Sequence, residues 1–167
     1  MSILDVHRSL ASLLPTDTIP ELDAIDDSAI SISLPDNICN NPKCPALDFY
    51  RFTRVTQIVI GDDSFENLKE FRMDGIRQLK TLKIGKNSFT KEKKRHGDDG
   101  GRSFHIVNCD NLESIEIGIY SFCDCSGEVE FKNLPKLRSL RIGSKHEDSW
   151  NFDYASLVLK GCIELDR

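Results

Sequence analysis

One phrase of sequence is written several times over along this chain, and that repetition restricts the fold more than anything in its composition. Residues 71–89 read FRMDGIRQLKTLKIGKNSF, with apolar side chains at Phe71, Met73, Ile76, Leu79, Leu82, Ile84 and Phe89. The same ladder recurs as Phe104, Ile106, Cys109, Leu112, Ile115, Ile117 and Phe122, and again as Val129, Phe131, Leu134, Leu137, Leu140 and Ile142. Upstream it reads Leu47, Phe49, Phe52, Val55, Ile58, Ile60 and Phe65, and downstream a fifth copy begins as Leu157, Leu159, Cys162 and Leu165. Neither a 3.6-residue helical period nor simple alternation produces this spacing. A fixed self-similarity over a few tens of residues is the mark of a solenoid.

The intervals set the coil length. Ile60 to Ile84 spans 24 residues, Ile84 to Ile117 spans 33, and Ile117 to Ile142 spans 25. Two intervals agree and one carries roughly eight extra residues, which implies a coil of about 24–25 residues with one insertion. Within a coil, LxxLxLxxNxF is literal at Leu79, Leu82, Ile84, Asn87 and Phe89. A second step, IGxxSF, repeats at Ile60-Gly61 with Ser64-Phe65, Ile84-Gly85 with Ser88-Phe89, and Ile117-Gly118 with Ser121-Phe122. On these residues the chain resembles the leucine-rich-repeat family and is most similar to its BspA-like branch, over roughly residues 28–167. The resemblance implies a short parallel strand at each L-x-I and a protein-binding strand face. Fold likeness of this kind carries no specific activity.

The expected architecture is a β-rich right-handed solenoid of about five coils of roughly 25 residues, with two short strands per coil and one short N-terminal helix. One strand in each coil is the L-x-I segment. The other alternates as Phe71-x-Met73, Phe104-x-Ile106 and Val129-x-Phe131. Gly75, Asn108, Asn133 and Gly161 sit at one corner, where residues tolerant of left-handed backbone angles are expected. Gly61, Gly85, Gly118 and Gly143 follow the L-x-I strand and are expected to do the same at the other corner. Ile32–Asn37 aligns with Leu82–Asn87 and reads as a degenerate zeroth strand, followed by a proline-marked loop at Asn41–Pro45.

Residues 1–27 fall outside the repeat. Ile3, Val6, Leu10, Leu13 and Leu14 share a helical face, with Ser2 and Asp5 placed as a capping box and Pro15 as a stop. The segment reads as a cap or lead-in for the first coil, or as a docking helix. The division is therefore a lead-in over 1–27 and a solenoid over 28–167, with a charged insertion at 90–102.

A net charge of −5 disfavours nucleic acid and anionic membranes as partners. No apolar run is long enough to span a bilayer, and Met1–Leu14 lacks the form of a signal peptide, so a cytoplasmic location is the default expectation. Six cysteines are too few for a disulfide scaffold. Cys109 and Cys162 occupy apolar repeat positions. The pairs Cys39/Cys44 and Cys123/Cys125 suggest a metal site, but coil stacking separates them by on the order of 15 Å, too far for one zinc ion. Neither a metal nor a cofactor is expected.

Stacking brings equivalent residues into columns. Beside the L-x-I core runs Ser33, Val59, Lys83, Glu116, Arg141, and next to it Ser31, Gln57, Thr81, Ser114, Ser139. Lys83, Glu116 and Arg141 alternate in sign, as a binding face or as ordinary cross-strand pairs. No aromatic anchor projects from these columns. The insertion, TKEKKRHGDDGGR, contains no apolar residue and reads as a solvated loop, either a tolerated surface insertion or one whose basic cluster, Lys91, Lys93, Lys94 and Arg95, contacts phosphate or an acidic partner or serves as a nuclear import signal. A second expansion carries Trp150, Phe152 and Tyr154, either as a binding anchor or as a plug for the last coil. His7, His96, His105 and His146 are scattered without a nucleophile in reach, so no catalytic constellation emerges. These features favour a non-enzymatic module binding a protein partner through Lys83, Glu116, Arg141, Lys91, Lys93, Lys94, Arg95 and Trp150. The alternative is a structural solenoid that forms a homodimer through an incomplete C-terminal coil.

Overall fold

A computed structural model describes residues 19–44, 46–91 and 101–162. Its elements are α1 (Pro20–Asp23), β1 (Ser31–Leu34), β2 (Gln57–Ile60), β3 (Glu70–Asp74), β4 (Thr81–Ile84), β5 (Ser103–Val107), β6 (Ser114–Ile117), β7 (Glu128–Lys132), β8 (Ser139–Ile142) and β9 (Ser156–Lys160). They form two parallel sheets, ordered β1-β2-β4-β6-β8 and β3-β5-β7-β9. From β2 onward each coil gives one strand to each sheet, while β1 has no counterpart in the four-stranded sheet among the described residues; the molecule is the β-solenoid of about five coils that the repeat demands. Among the described residues no helix is long and apolar enough to cross a membrane.

The register follows the sequence ladder residue for residue. Ile58 pairs with Leu82, Leu82 with Ile115, and Ile115 with Leu140; on the other sheet Phe71 pairs with Phe104 and Phe104 with Val129. Alternate residues of β1 to β7 point inward and are almost fully buried. A one-residue slip would turn all of them outward, which is why the register is firmly specified.

Phenylalanine fills the space between the sheets in two columns. Phe65, Phe89, Phe122 and Phe152 stack in succession at centroid distances of 5.1, 4.7 and 5.0 Å. Phe71 and Phe104 stack at 5.0 Å beside them. Edge-on contacts at 5.2 Å (Phe71–Phe89) and 4.8 Å (Phe104–Phe122) lock one column into the other. Phe152, one of the three aromatics of the second expansion, thus folds back as the plug.

The corner at Gly75, Asn108, Asn133 and Gly161 has positive φ at all four positions, as expected. Asn133 Nδ2 donates to Asn108 Oδ1, and Asn108 Nδ2 donates to Asp74 Oδ1, both at 2.8 Å, which ties neighbouring coils. The other corner requires a correction. Of Gly61, Gly85, Gly118 and Gly143, only Gly143 has positive φ. The first three are glycine because the stacked backbones touch: a Cβ on Gly85 would lie 2.6 Å from the Gly61 carbonyl carbon, and one on Gly118 2.6 Å from that of Gly85. Positive φ at this corner belongs instead to Asn37, Asp63, Asn87 and Tyr120, and to the phenylalanines two residues on, Phe65, Phe89 and Phe122. Bulky residues adopt such angles at a cost of about 1–2 kcal/mol each, which their burial and ring stacking offset.

The helix expected over Ile3–Leu14 lies outside the described residues. The helix present, α1, starts with proline at its first turn and buries Leu22, with Ile19 buried just before it, against the first coil. Arg51 fastens this segment by donating to the Leu22 carbonyl at 2.6 Å and pairing with Asp27. Replacing Phe89, which contacts Phe65, Phe71 and Phe122, with alanine should destabilise the fold by about 3–5 kcal/mol, read from urea unfolding followed by circular dichroism.

Candidate functional site

The column Lys83, Glu116, Arg141 lies on the solvent side of the five-stranded sheet, in register on β4, β6 and β8. Lys83 Nζ is 3.3 Å from Glu116 Oε1, with both side chains about half exposed. Such a pair contributes well under about 1 kcal/mol and imposes no binding chemistry. Arg141 stands opposite Glu116 at the last strand of the sheet.

Of the basic cluster in the insertion, only Lys91 is among the described residues; Lys93, Lys94 and Arg95 lie outside them. The two ends of the insertion are visible and differ from the solvated loop expected over 90–102. Thr90 and Arg102 are both buried. Thr90 Oγ1 donates to the Tyr120 carbonyl at 2.9 Å and accepts the Cys123 N–H at 3.0 Å. The Lys91 N–H donates to Asp124 Oδ2 at 2.7 Å. The Arg102 guanidinium donates to the carbonyls of Leu68, Phe89 and Glu66 at 3.1, 3.2 and 2.8 Å. Arg102 therefore satisfies backbone acceptors at the point where the insertion leaves the coil. A charged residue at the edge of a loop carries no sequence signal for this role; only the corner's free carbonyls reveal it.

Cysteine chemistry divides along the chain. Cys39 and Cys44 form a disulfide closing the loop of the first coil, a bond the cysteine count did not suggest. Cys39 has positive φ and takes the place that Phe65 holds one coil later, so the short loop returns to it directly. The other four cysteines are thiols. Burial pushes Cys109, Cys123 and Cys125 up to about 11 and raises Cys162 as well. Nucleophilic thiols are shifted the opposite way, so these are packing residues.

Exposed apolar side chains gather at the end of the last described coil; Ile30 and Tyr50 are their exposed counterparts near the first coil. Leu157 and Leu159 on β9 are 59% and 49% exposed, and Ile142 on β8 is 38% exposed. Their counterparts Phe131, Ile106, Met73 and Ile117 are almost wholly buried. Trp150 and Tyr154, both exposed, belong to the expansion between β8 and β9. An open hollow of about 560 Å³ runs along β8, lined by Leu140 to His146 with Arg141 among them. β8 and β9 are the edge strands of the two sheets at this end, with β1 and β3 at the opposite edges. Of the sequence-derived candidates, the fold brings Arg141 and Trp150 to this last coil and leaves Lys83 and Glu116 on the sheet face. Comparison with known proteins returns no matching family model, no matching curated protein and no matching solved structure.

Two measurements check these assignments. Arg102→Lys should lower stability by about 1–3 kcal/mol, because an ammonium group cannot fork to three carbonyls, and urea unfolding reads the loss. Because the buried thiols ionise only near 11 in the folded chain but near their ordinary 9.0 once unfolded, stability should fall as pH rises from about 9 to about 11. Thermal unfolding across that range, compared with Cys109→Ser, detects the decline.

Proposed function

We propose that this chain is a non-enzymatic protein-binding module of the leucine-rich-repeat kind, and that its main contact surface is the exposed end of the last described coil. The observation that supports the reading is the step in burial at Ile142, Leu157 and Leu159, positions whose equivalents form the core elsewhere. Exposed apolar side chains beside two strand edges that are unpaired among the described residues favour strand addition by another polypeptide. Trp150 and Tyr154 supply the aromatic anchors that the polar strand face lacks. Lys83 and Glu116 then form part of a solvated flank, and Arg141 reaches the contact surface itself. The basic residues of the insertion remain a second candidate surface on their sequence alone.

A second copy of the chain is the alternative occupant, since two equal edges can pair across a two-fold axis. Acidic net charge favours protein over nucleic acid or membrane as the partner. The Cys39–Cys44 disulfide weighs against the cytoplasmic location expected from the sequence and favours an oxidising compartment.

Cross-linking capture from native extract, together with solution mass at several concentrations, tests this reading. The full chain is run beside Leu157→Asp/Leu159→Asp and beside a deletion of Lys91–Gly101. The double variant should lose the captured protein, or the dimer, with affinity lowered at least about tenfold, while the deletion retains it. Loss on deletion alone would move the site to the insertion.

A further inference from the structure

The four-stranded sheet carries a second cluster that neither the repeat nor the exposed end explains. His105 on β5 stands directly opposite Glu130 on β7. Glu128 precedes Glu130 by two residues on the same strand, so it projects from the same face. One ligand atom from each of the three residues lies within 4.8 Å of the others. His105 Nδ1 is 3.5 Å from Glu130 Oε2 and 3.9 Å from Glu128 Oε1. That nitrogen is fully buried and has no hydrogen-bond partner, and the whole imidazole is only 15% exposed.

A buried polar atom without a hydrogen bond is costly, and one turned toward two carboxylates requires a reason. A protonated imidazole donating to either glutamate would approach to about 2.7–2.9 Å, well inside both separations. Tetrahedral metal ligands with bonds of about 2.0–2.2 Å stand roughly 3.4 Å from one another, which matches the closer contact and nearly matches the longer one. The surroundings support the same arrangement. Lys132 Nζ lies 3.5 Å from Glu130 Oε1, which leaves Oε2 turned toward His105. On the other side of His105, Arg72 is engaged by Asp74 at 2.6 Å. Two carboxylates against one lysine leave an excess negative charge around the imidazole, which suits a dication.

We propose that His105, Glu128 and Glu130 bind a divalent transition-metal ion, zinc best of all, through His105 Nδ1 and one oxygen from each glutamate. One imidazole among the donors disfavours magnesium and calcium, which take oxygen ligands. Three protein ligands leave the fourth position for water, and the half-exposed Glu128 provides the path of entry. A period of 25 residues sets position 105 beside position 130, but the buried, unpartnered Nδ1 that marks the site exists only in the stacked coils.

Zinc titration of the chelator-treated full chain by calorimetry, with cobalt absorption as the spectroscopic check, decides the matter. One zinc should bind per chain, with a cobalt spectrum of nitrogen and oxygen ligation. Both Glu128→Gln and His105→Asn should weaken binding at least about tenfold. If His105→Asn unfolds by circular dichroism, Glu128→Gln decides alone, since its side chain is exposed. Absence of binding, undiminished binding in Glu128→Gln, or a thiolate-to-cobalt charge-transfer band would overturn the assignment.

Discussion

The stacking of phenylalanine rings at the spacing of parallel strands is the interaction on which the rest of this solenoid depends. Neighbouring strands lie about 4.8 Å apart, close to the separation at which aromatic rings stack, so one phenylalanine per coil builds a column without distorting the backbone. The centroid distances along Phe65, Phe89, Phe122 and Phe152 stay between 4.7 and 5.1 Å. The second column, through Phe71 and Phe104, meets the first edge-on, so neither sheet can shift relative to the other without breaking both. The left-handed backbone at Phe65, Phe89 and Phe122 follows from the same requirement, because that turn aims the ring inward.

Close backbone approach at the corners complements the rings. Gly61, Gly85 and Gly118 let one coil rest on the next, and the hydroxyls of Ser64, Ser88 and Ser121 take up the polar groups this contact buries. Ser88 N–H donates to Ser121 Oγ at 3.0 Å, and Ser121 Oγ donates to the Gly85 carbonyl at 2.6 Å. A column of small hydroxyls therefore does between coils what water does at an exposed turn. The insertion interrupts this pattern only locally, because Thr90, Asp124 and Arg102 hold its two ends against the same corner.

Interior coils bury nearly all of their apolar surface, so function concentrates where stacking ends or where outward faces carry unusual chemistry. In a solenoid each coil is covered by its neighbours, and the last one exposes what the others hide. At the first coil α1 supplies that cover through Ile19 and Leu22. At the last described coil Phe152 covers part of the core, while Ile142, Leu157 and Leu159 stay exposed. The outward face of the four-stranded sheet is polar apart from Val107 and Val158, and its His105–Glu128–Glu130 cluster gathers three titratable side chains around a buried nitrogen.

The periodic ladder alone determined the coil length, the two strands per coil, their parallel register and the left-handed corner at Gly75, Asn108, Asn133 and Gly161. Each of these is a local consequence of which residue types recur at which interval. Other features were decided by contacts between coils, which no single stretch of sequence encodes. Gly85 is glycine because of Gly61, Arg102 is buried because Leu68, Phe89 and Glu66 leave carbonyls unfilled, and Cys39 meets Cys44 because the first loop turns back on itself. The exposed end and the convergence of His105 with Glu128 and Glu130 belong to the same class. Periodicity states which residues become neighbours, but burial and open hydrogen-bonding groups exist only once the coils are stacked.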